Sequence, residues 1–413
     1  MKNPLFTPEF FTGNRRRLRE SFRGASLIVL GANGQLQKSL DSTYPFRQDS
    51  NFWYLTGVEE PGIALVMERT GDYLILPRQS NYMKTFDGEI DAWEIKDRSG
   101  IRKVYGFDKG WAFLAKKLRA SKRVGGISPP EQFIEELDMY TNPARARLHR
   151  MVMEQNRKLK FIDIKPQLAK LRTVKSKPEI AAIRAATKVT KQAFVAISDA
   201  LPACTAEYEL SAIATAEFLR NNMDHAYEPI VAAGQNATTL HYVENRQKYK
   251  KNELILIDMG ASCSGYASDI SRTIGVNPTK RQQQVHKAVQ EANEYAVSLV
   301  KPGLNVSELE KLTRKFLGEK IVELGLAKRA NKQAVRHYYP HATSHPAGLD
   351  VHDPMPKDGV LRAGMVLTVE PGLYIKEESI GVRVEDIVLV TDDSHENLSA
   401  DLSHSMGPLT IHS

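Results

Sequence analysis

Short, uninterrupted aliphatic runs punctuate the chain, and each predicts a buried strand. Between residues 1 and 172 these are Ser26–Leu30 (SLIVL), Ile63–Met67 (IALVM) and Tyr73–Leu76 (YLIL). Runs of this length, rich in branched residues, fit strands covered on both faces. Arg145–Lys160 is charged and helical in composition. Strands mixed with helices predict an α/β domain here.

Near Arg172 the pattern changes. Ser176-Lys177-Pro178-Glu179 has the form of a capping box, with proline in the first turn. Ile180–Ile197 then carries apolar residues at helical spacing, so a long helix is predicted to open a second domain over 173–413. Within it, Leu254–Ile257 predicts a buried strand ended by Asp258. Tyr266–Ile274 predicts another strand, after a turn containing Gly260 and Gly265. Gln282–Val300 and Val306–Leu324 read as helices, and Met365–Val369 and Val382–Val390 as strands. Helices, a hairpin, further helices and then strands suit an α+β domain with a curved antiparallel sheet better than a βαβ repeat.

Composition narrows the function classes. A chain of 413 residues can bury two cores or three. No apolar run approaches the roughly 20 residues that span a bilayer. The first residues lack the apolar centre of a signal peptide, so a cytoplasmic location is expected. Two cysteines, Cys204 and Cys263, form no disulfide framework, which agrees with a reducing compartment. The net charge of +8 is spread along the chain, and its densest cluster, Arg15, Arg16, Arg17 and Arg19, reads as a solvated helix face. Without zinc-finger spacing or an aromatic RNA-binding motif, neither nucleic acid nor membrane is an expected partner.

Five residues carry candidate chemistry: Asp258, Asp269, His345, Glu370 and Glu385. Asp258 follows LILI, Glu370 follows MVLTV, and Glu385 lies inside GVRVEDIVLV. A carboxylate at the end of a buried strand is costly unless a partner or a metal offsets it. Asp258 and Asp269 flank a turn and would sit close together in a hairpin. Alternation along Val382–Asp386 puts Arg383 and Glu385 on one face, opposite two valines. Four converging carboxylates would repel one another. Two divalent cations about 3.5 Å apart would resolve that repulsion. Oxygen ligands with a single imidazole suit manganese, with cobalt or zinc as alternatives.

The stretches IDMGASCSGYASDISRT, HATSHPAGLDVHD, LTVEPGLYI and GVRVEDIVLVT resemble the successive metal-binding blocks of the pita-bread metallopeptidases, which include methionine aminopeptidase, prolidase and aminopeptidase P. Tyr44–Glu60 (YPFRQDSNFWYLTGVEE) is similar to the N-terminal domain of the aminopeptidase P branch. The resemblance implies a pita-bread domain and cleavage of the bond before a proline in second position. A dipeptide-only prolidase or a non-catalytic binding module are the alternatives. It implies Asp258 and Asp269 as ligands, Asp269 bridging two ions, His345 on one ion, and Glu385 as a second bridge. Glu370 would bind a metal and move a proton. His241, His352 and Arg383 match residues beside the substrate or the bridging glutamate, and His341 matches a further histidine. A homo-oligomer, dimer or tetramer, is implied as well. The chain departs from the pattern after His345, where the family usually carries a larger residue and this chain has Pro346, followed by Ala347. Trp53 and Tyr54 read as domain core.

Overall fold

The computed structural model describes residues 5–129 and 139–412. The chain divides into two compact units, Met1–Leu171 and Arg172–Ser413. No helix among the described residues is long and apolar enough to cross a membrane.

In the first unit the three aliphatic runs become neighbours in one sheet. Its order is Lys103–Tyr105, Asp72–Ile75, Ala64–Glu68, Leu27–Gly31, Arg123–Gly126, Lys160–Asp163. The central pairs are antiparallel and the outer ones parallel. Parallel neighbours need crossovers, and the helices Ala92–Ser99, Phe107–Ala120 and Pro143–Met153 lie in those connections. Trp53 and Tyr54 are buried, and Trp53 meets the rings of Phe6 and Phe11 edge-on at 5.2 and 5.4 Å.

Two expectations for this unit are corrected. The helix expected over Arg145–Lys160 spans Pro143–Met153 only. Asn156 then donates to the carbonyls of Leu118 and Ser121, and Lys160 enters the sheet, so tertiary hydrogen bonds override helical composition. The arginine cluster is not wholly a solvated face. Arg15 is 1% exposed, pairing with Asp72 at 2.9 Å and donating to the carbonyls of Leu55 and Ser99. A buried guanidinium persists only with such partners.

The second unit opens with the helix Lys177–Ala200, where the Ser176 amide donates to Glu179 at 2.8 Å. Every strand pair in this unit is antiparallel among the described residues. One sheet joins Ile230–Ala233, Ile255–Met259 and Ile270–Ile274. Another joins Val366–Val369, Asp386–Val390 and His395–Asn397, and Gly372–Ile375 pairs with Ile380–Arg383. The helices Lys280–Leu299 and Val306–Glu323 cover them through a core that includes Val285, Val289, Leu317, Ile321, Leu373 and Val382.

The strand expected over Val382–Val390 is two strands. Ile380–Arg383 pairs with one neighbour and Asp386–Val390 with another, and the chain changes partner at Val384 and Glu385. Glu385 fills the gap by donating its amide to the Ser271 carbonyl at 3.0 Å. Tyr266–Ile274 is likewise interrupted, at Ser268 and Asp269, and Asp258 lies within its strand rather than after it.

Candidate metal centre

The first two acidic residues are brought together by strand register. Asp258 faces Ser271 across the ladder, and Asp269, just before the strand that carries Ser271, meets the same Tyr227 hydroxyl as Asp258. The connection between them doubles back at Ser264 and Gly265, and the returning segment closes against Gly260. A Cβ there would lie 1.8 Å from the Ser268 carbonyl oxygen, so any side chain would force Asp269 away from Asp258.

The segment before His345 runs beside Val366–Val369. The Thr368 amide donates to the His345 carbonyl at 2.8 Å, and the Glu370 amide to the Thr343 carbonyl at 2.9 Å. His345 Nε2 then lies 3.4 Å from Asp269 Oδ2 and 3.5 Å from Glu370 Oε1. Glu385 reaches the same place and accepts from Ser271 Oγ at 2.6 Å. Donor atoms of Asp269, His345 and Glu385 all lie within 4.8 Å of one another.

Arg383 ties the cluster together. It donates to Asp258 Oδ2 at 2.5 Å, Ser271 Oγ at 2.9 Å and the Tyr374 hydroxyl at 2.8 Å. The Tyr374 hydroxyl is also 2.8 Å from His341 Nε2, and His341 Nδ1 is 2.8 Å from the Ala342 carbonyl. These contacts admit one consistent proton arrangement. Arg383 donates to Tyr374, Tyr374 to Nε2, and Nδ1–H to the carbonyl, which keeps His341 neutral. Burial, and then Arg383, push His341 down to about 3, in agreement. The rings of His352 and His345 are 4.1 Å apart. His241 is exposed, and it acts electrostatically, as the smallest of the causes, on both His341 and His352.

The electrostatics are those of a cavity with too much negative charge. Burial pushes Glu370 up to about 7, against the pull of His345 and Arg383, while Asp269 and Asp258 push further. Burial, Asp269 and Glu370 all raise Glu385. Burial raises Asp258 too, and Arg383 only partly offsets it. Burial opposes charge on His345, but Asp269 and Glu370 outweigh it and raise the ring to about 9. The Tyr227 hydroxyl lies 2.6 Å from Asp258 Oδ1 and 2.5 Å from Asp269 Oδ1. One hydroxyl proton serves only one of two carboxylates at a time. A set of four carboxylates and one imidazole, with too few donors to satisfy them, fits divalent cations with a preference for oxygen.

Tyr227, Ser271 and Tyr374 were not among the residues singled out from the sequence. Period-two alternation offered a signal for Ser271, counted from Asp269, and for Tyr374, counted from Glu370. Nothing near Tyr227 in the sequence announces its role.

The profile of metallopeptidase family M24 matches residues 181–392, and that of the aminopeptidase P N-terminal domain matches residues 11–124. The chain is 31% identical over 417 residues to the Xaa-Pro aminopeptidase of Escherichia coli strain K12, covering 95% of this chain and 94% of that one. It is 33% identical to Xaa-Pro aminopeptidase 3 of Mus musculus, covering 92% of this chain and 79% of the relative. Among solved structures, the low-pH form of aminopeptidase P from E. coli superposes with a TM-score of 0.88 at 28% identity, over 97% of both chains. The zinc-substituted E. coli aminopeptidase P in complex with product superposes with a TM-score of 0.87 at 29% identity, again over 97% of both.

Proposed function

The chain belongs to metallopeptidase family M24, and we propose that it works with two divalent cations, manganese first among them, held by Asp258, Asp269, His345, Glu370 and Glu385. It is a metal-dependent hydrolase with the pita-bread fold, and it cleaves the bond between an N-terminal residue and a following proline. The observation that carries the metal reading is the convergence of Asp269, His345 and Glu385 donor atoms within 4.8 Å, in a pocket that burial makes unfavourable for bare carboxylates. Bound there, the cations would polarise the scissile carbonyl and lower the pKa of the attacking water.

The side chains divide the remaining work. Glu370 takes a proton from the attacking water at a carboxylate oxygen and passes it to the leaving proline nitrogen. His352, beside His345, donates to the oxygen on which negative charge develops. Arg383 holds Asp258 in place through Nη2. His241 contacts the substrate. The proline nitrogen is a tertiary amide with no N–H to recognise, so selection for it rests on pocket shape. The proposal extends to a division of labour between residues 1–172 and 173–413, to assembly into a dimer or tetramer, and to a cytoplasmic setting in which Cys204 and Cys263 stay free.

Two measurements test this reading. The protein is stripped of metal, reloaded with Mn²⁺, and assayed on an Xaa-Pro dipeptide and on a longer Xaa-Pro peptide. Both should be cleaved, and only after reloading. Turnover confined to the dipeptide would make the enzyme a prolidase, and full turnover without metal would overturn the mechanism. His241→Ala should lower turnover roughly 10²-fold, the scale for a substrate left about 1 Å out of place, with metal content unchanged. A folded variant that no longer holds metal would contradict the substrate-side role.

A further inference from the structure

The helix Lys280–Leu299 turns an apolar face to the sheets through Val285, Ala288, Val289, Ala292 and Ala296. Asn293 interrupts that face and is 0% exposed. Its Nδ2 donates to the carbonyl of Val369 at 2.9 Å and to the carbonyl of Val384 at 3.2 Å. Its Oδ1 is buried and has no hydrogen-bond partner among the described residues. Both neighbours are acceptors, so the amide must present nitrogen to them and leave its oxygen against apolar surroundings. A buried acceptor left unmade costs about 1–3 kcal/mol. An aliphatic side chain would avoid that cost but would take the donor from the Val369 and Val384 carbonyls, so the amide is kept for the two backbone groups it joins.

The two carbonyls share one property. Val369 immediately precedes Glu370, and Val384 immediately precedes Glu385. A peptide unit is planar, so holding a carbonyl oxygen fixes the plane that ends at the next Cα. The bridge also falls at the seam where the chain changes partner, between the ladder ending at Val369 and the ladder ending at Arg383. The last register pair of the first ladder, Val369 with Asp386, brings the two glutamates alongside each other, and the Asn293 amide joins their two peptide units just beyond it.

We infer that Asn293 is a positioning residue for the metal centre, a single side-chain amide that gauges the distance between the Glu370 and Glu385 backbones. The inference rests on the reading of those glutamates as metal ligands. It touches neither substrate nor reacting atoms.

The test compares metal-free parent protein with Asn293→Leu and Asn293→Gln. Each is titrated with Mn²⁺ by calorimetry, and the thermal unfolding of each metal-free form is recorded. Asn293→Leu should weaken Mn²⁺ binding roughly 10–100-fold, as loss of an orienting partner does, while the metal-free form stays folded and unfolds below the parent temperature, because two buried carbonyls lose their donor. Asn293→Gln keeps an amide donor and should bind Mn²⁺ more tightly than the leucine variant. If leucine and glutamine variants both bind like the parent, or bind equally weakly, the positioning role is refuted while the metal centre stands. A parent that binds no Mn²⁺ refutes the metal centre itself.

Discussion

Asp269→Ala is expected to abolish metal-dependent cleavage, lowering turnover by roughly 10³-fold or more. A catalytic cation supplies several kcal/mol of transition-state stabilisation, and each 1.36 kcal/mol is worth about tenfold in rate. Asp269 is the carboxylate placed to share its oxygens most widely. It lies 2.5 Å from the Tyr227 hydroxyl and 3.4 Å from His345 Nε2, and its donor atom is grouped with those of His345 and Glu385. The variant should nevertheless stay folded. Asp269 is one of several carboxylates that repel one another here, and after burial it is the largest cause of the rise in Glu385. Metal content by elemental analysis, circular dichroism and turnover of an Xaa-Pro peptide read the three parts separately. Parent-like turnover and metal content in the variant would remove Asp269 from the ligand set.

Asp386→Ala should destabilise the second unit by about 3–5 kcal/mol, the range for removing one partner of a buried ion pair. Arg272 and Asp386 have side chains 1% and 0% exposed and meet at 2.8 Å. Asp386 also accepts from Ser399 Oγ at 2.8 Å and Asn397 Nδ2 at 3.0 Å. Without it, the Arg272 guanidinium stays buried with carbonyls only, those of Ser271, Glu385, Leu402 and Ser403. Domains are stable by about 5–15 kcal/mol in total, so the loss is a large fraction. Urea unfolding at constant metal load measures it. A change under about 1 kcal/mol would mean that water reaches Arg272. Replacing both partners together, as Arg272→Met with Asp386→Leu, should cost less than Asp386→Ala alone. The pH dependence has a defined sign. Burial alone would raise Asp386, but Arg272 above all holds it far below the ordinary carboxylate range. The stability it confers is therefore complete above about pH 3.9, the ordinary aspartate value, and is lost as the pH falls below it. Asp386→Ala should flatten that acid limb.

Much of the centre was legible because its signals are local. An aliphatic run such as LILI has to be buried, and a carboxylate set in it needs a partner wherever the fold takes it. Alternation placed Arg383 and Glu385 on one side, and both meet Ser271 there. The failures were non-local. Val382–Val390 reads as one strand by period, but it is two because different neighbours claim its halves. Arg15 reads as solvated because its cluster is polar, yet Asp72 and two distant carbonyls hold it inside. Asn293 reads as an ordinary polar helix residue, and only its partners give it a position of consequence.

The sequence by itself determined which aliphatic runs are buried and which carboxylates stand in or beside them, because branching, period and charge act on near neighbours. The tertiary structure alone decided that Tyr227 lies between two carboxylates, one of them 31 positions away, and that Arg272 neutralises an acid 114 positions away. Spacing along the chain carries no information about such distances, which exist only once the sheets and helices have closed around a common core.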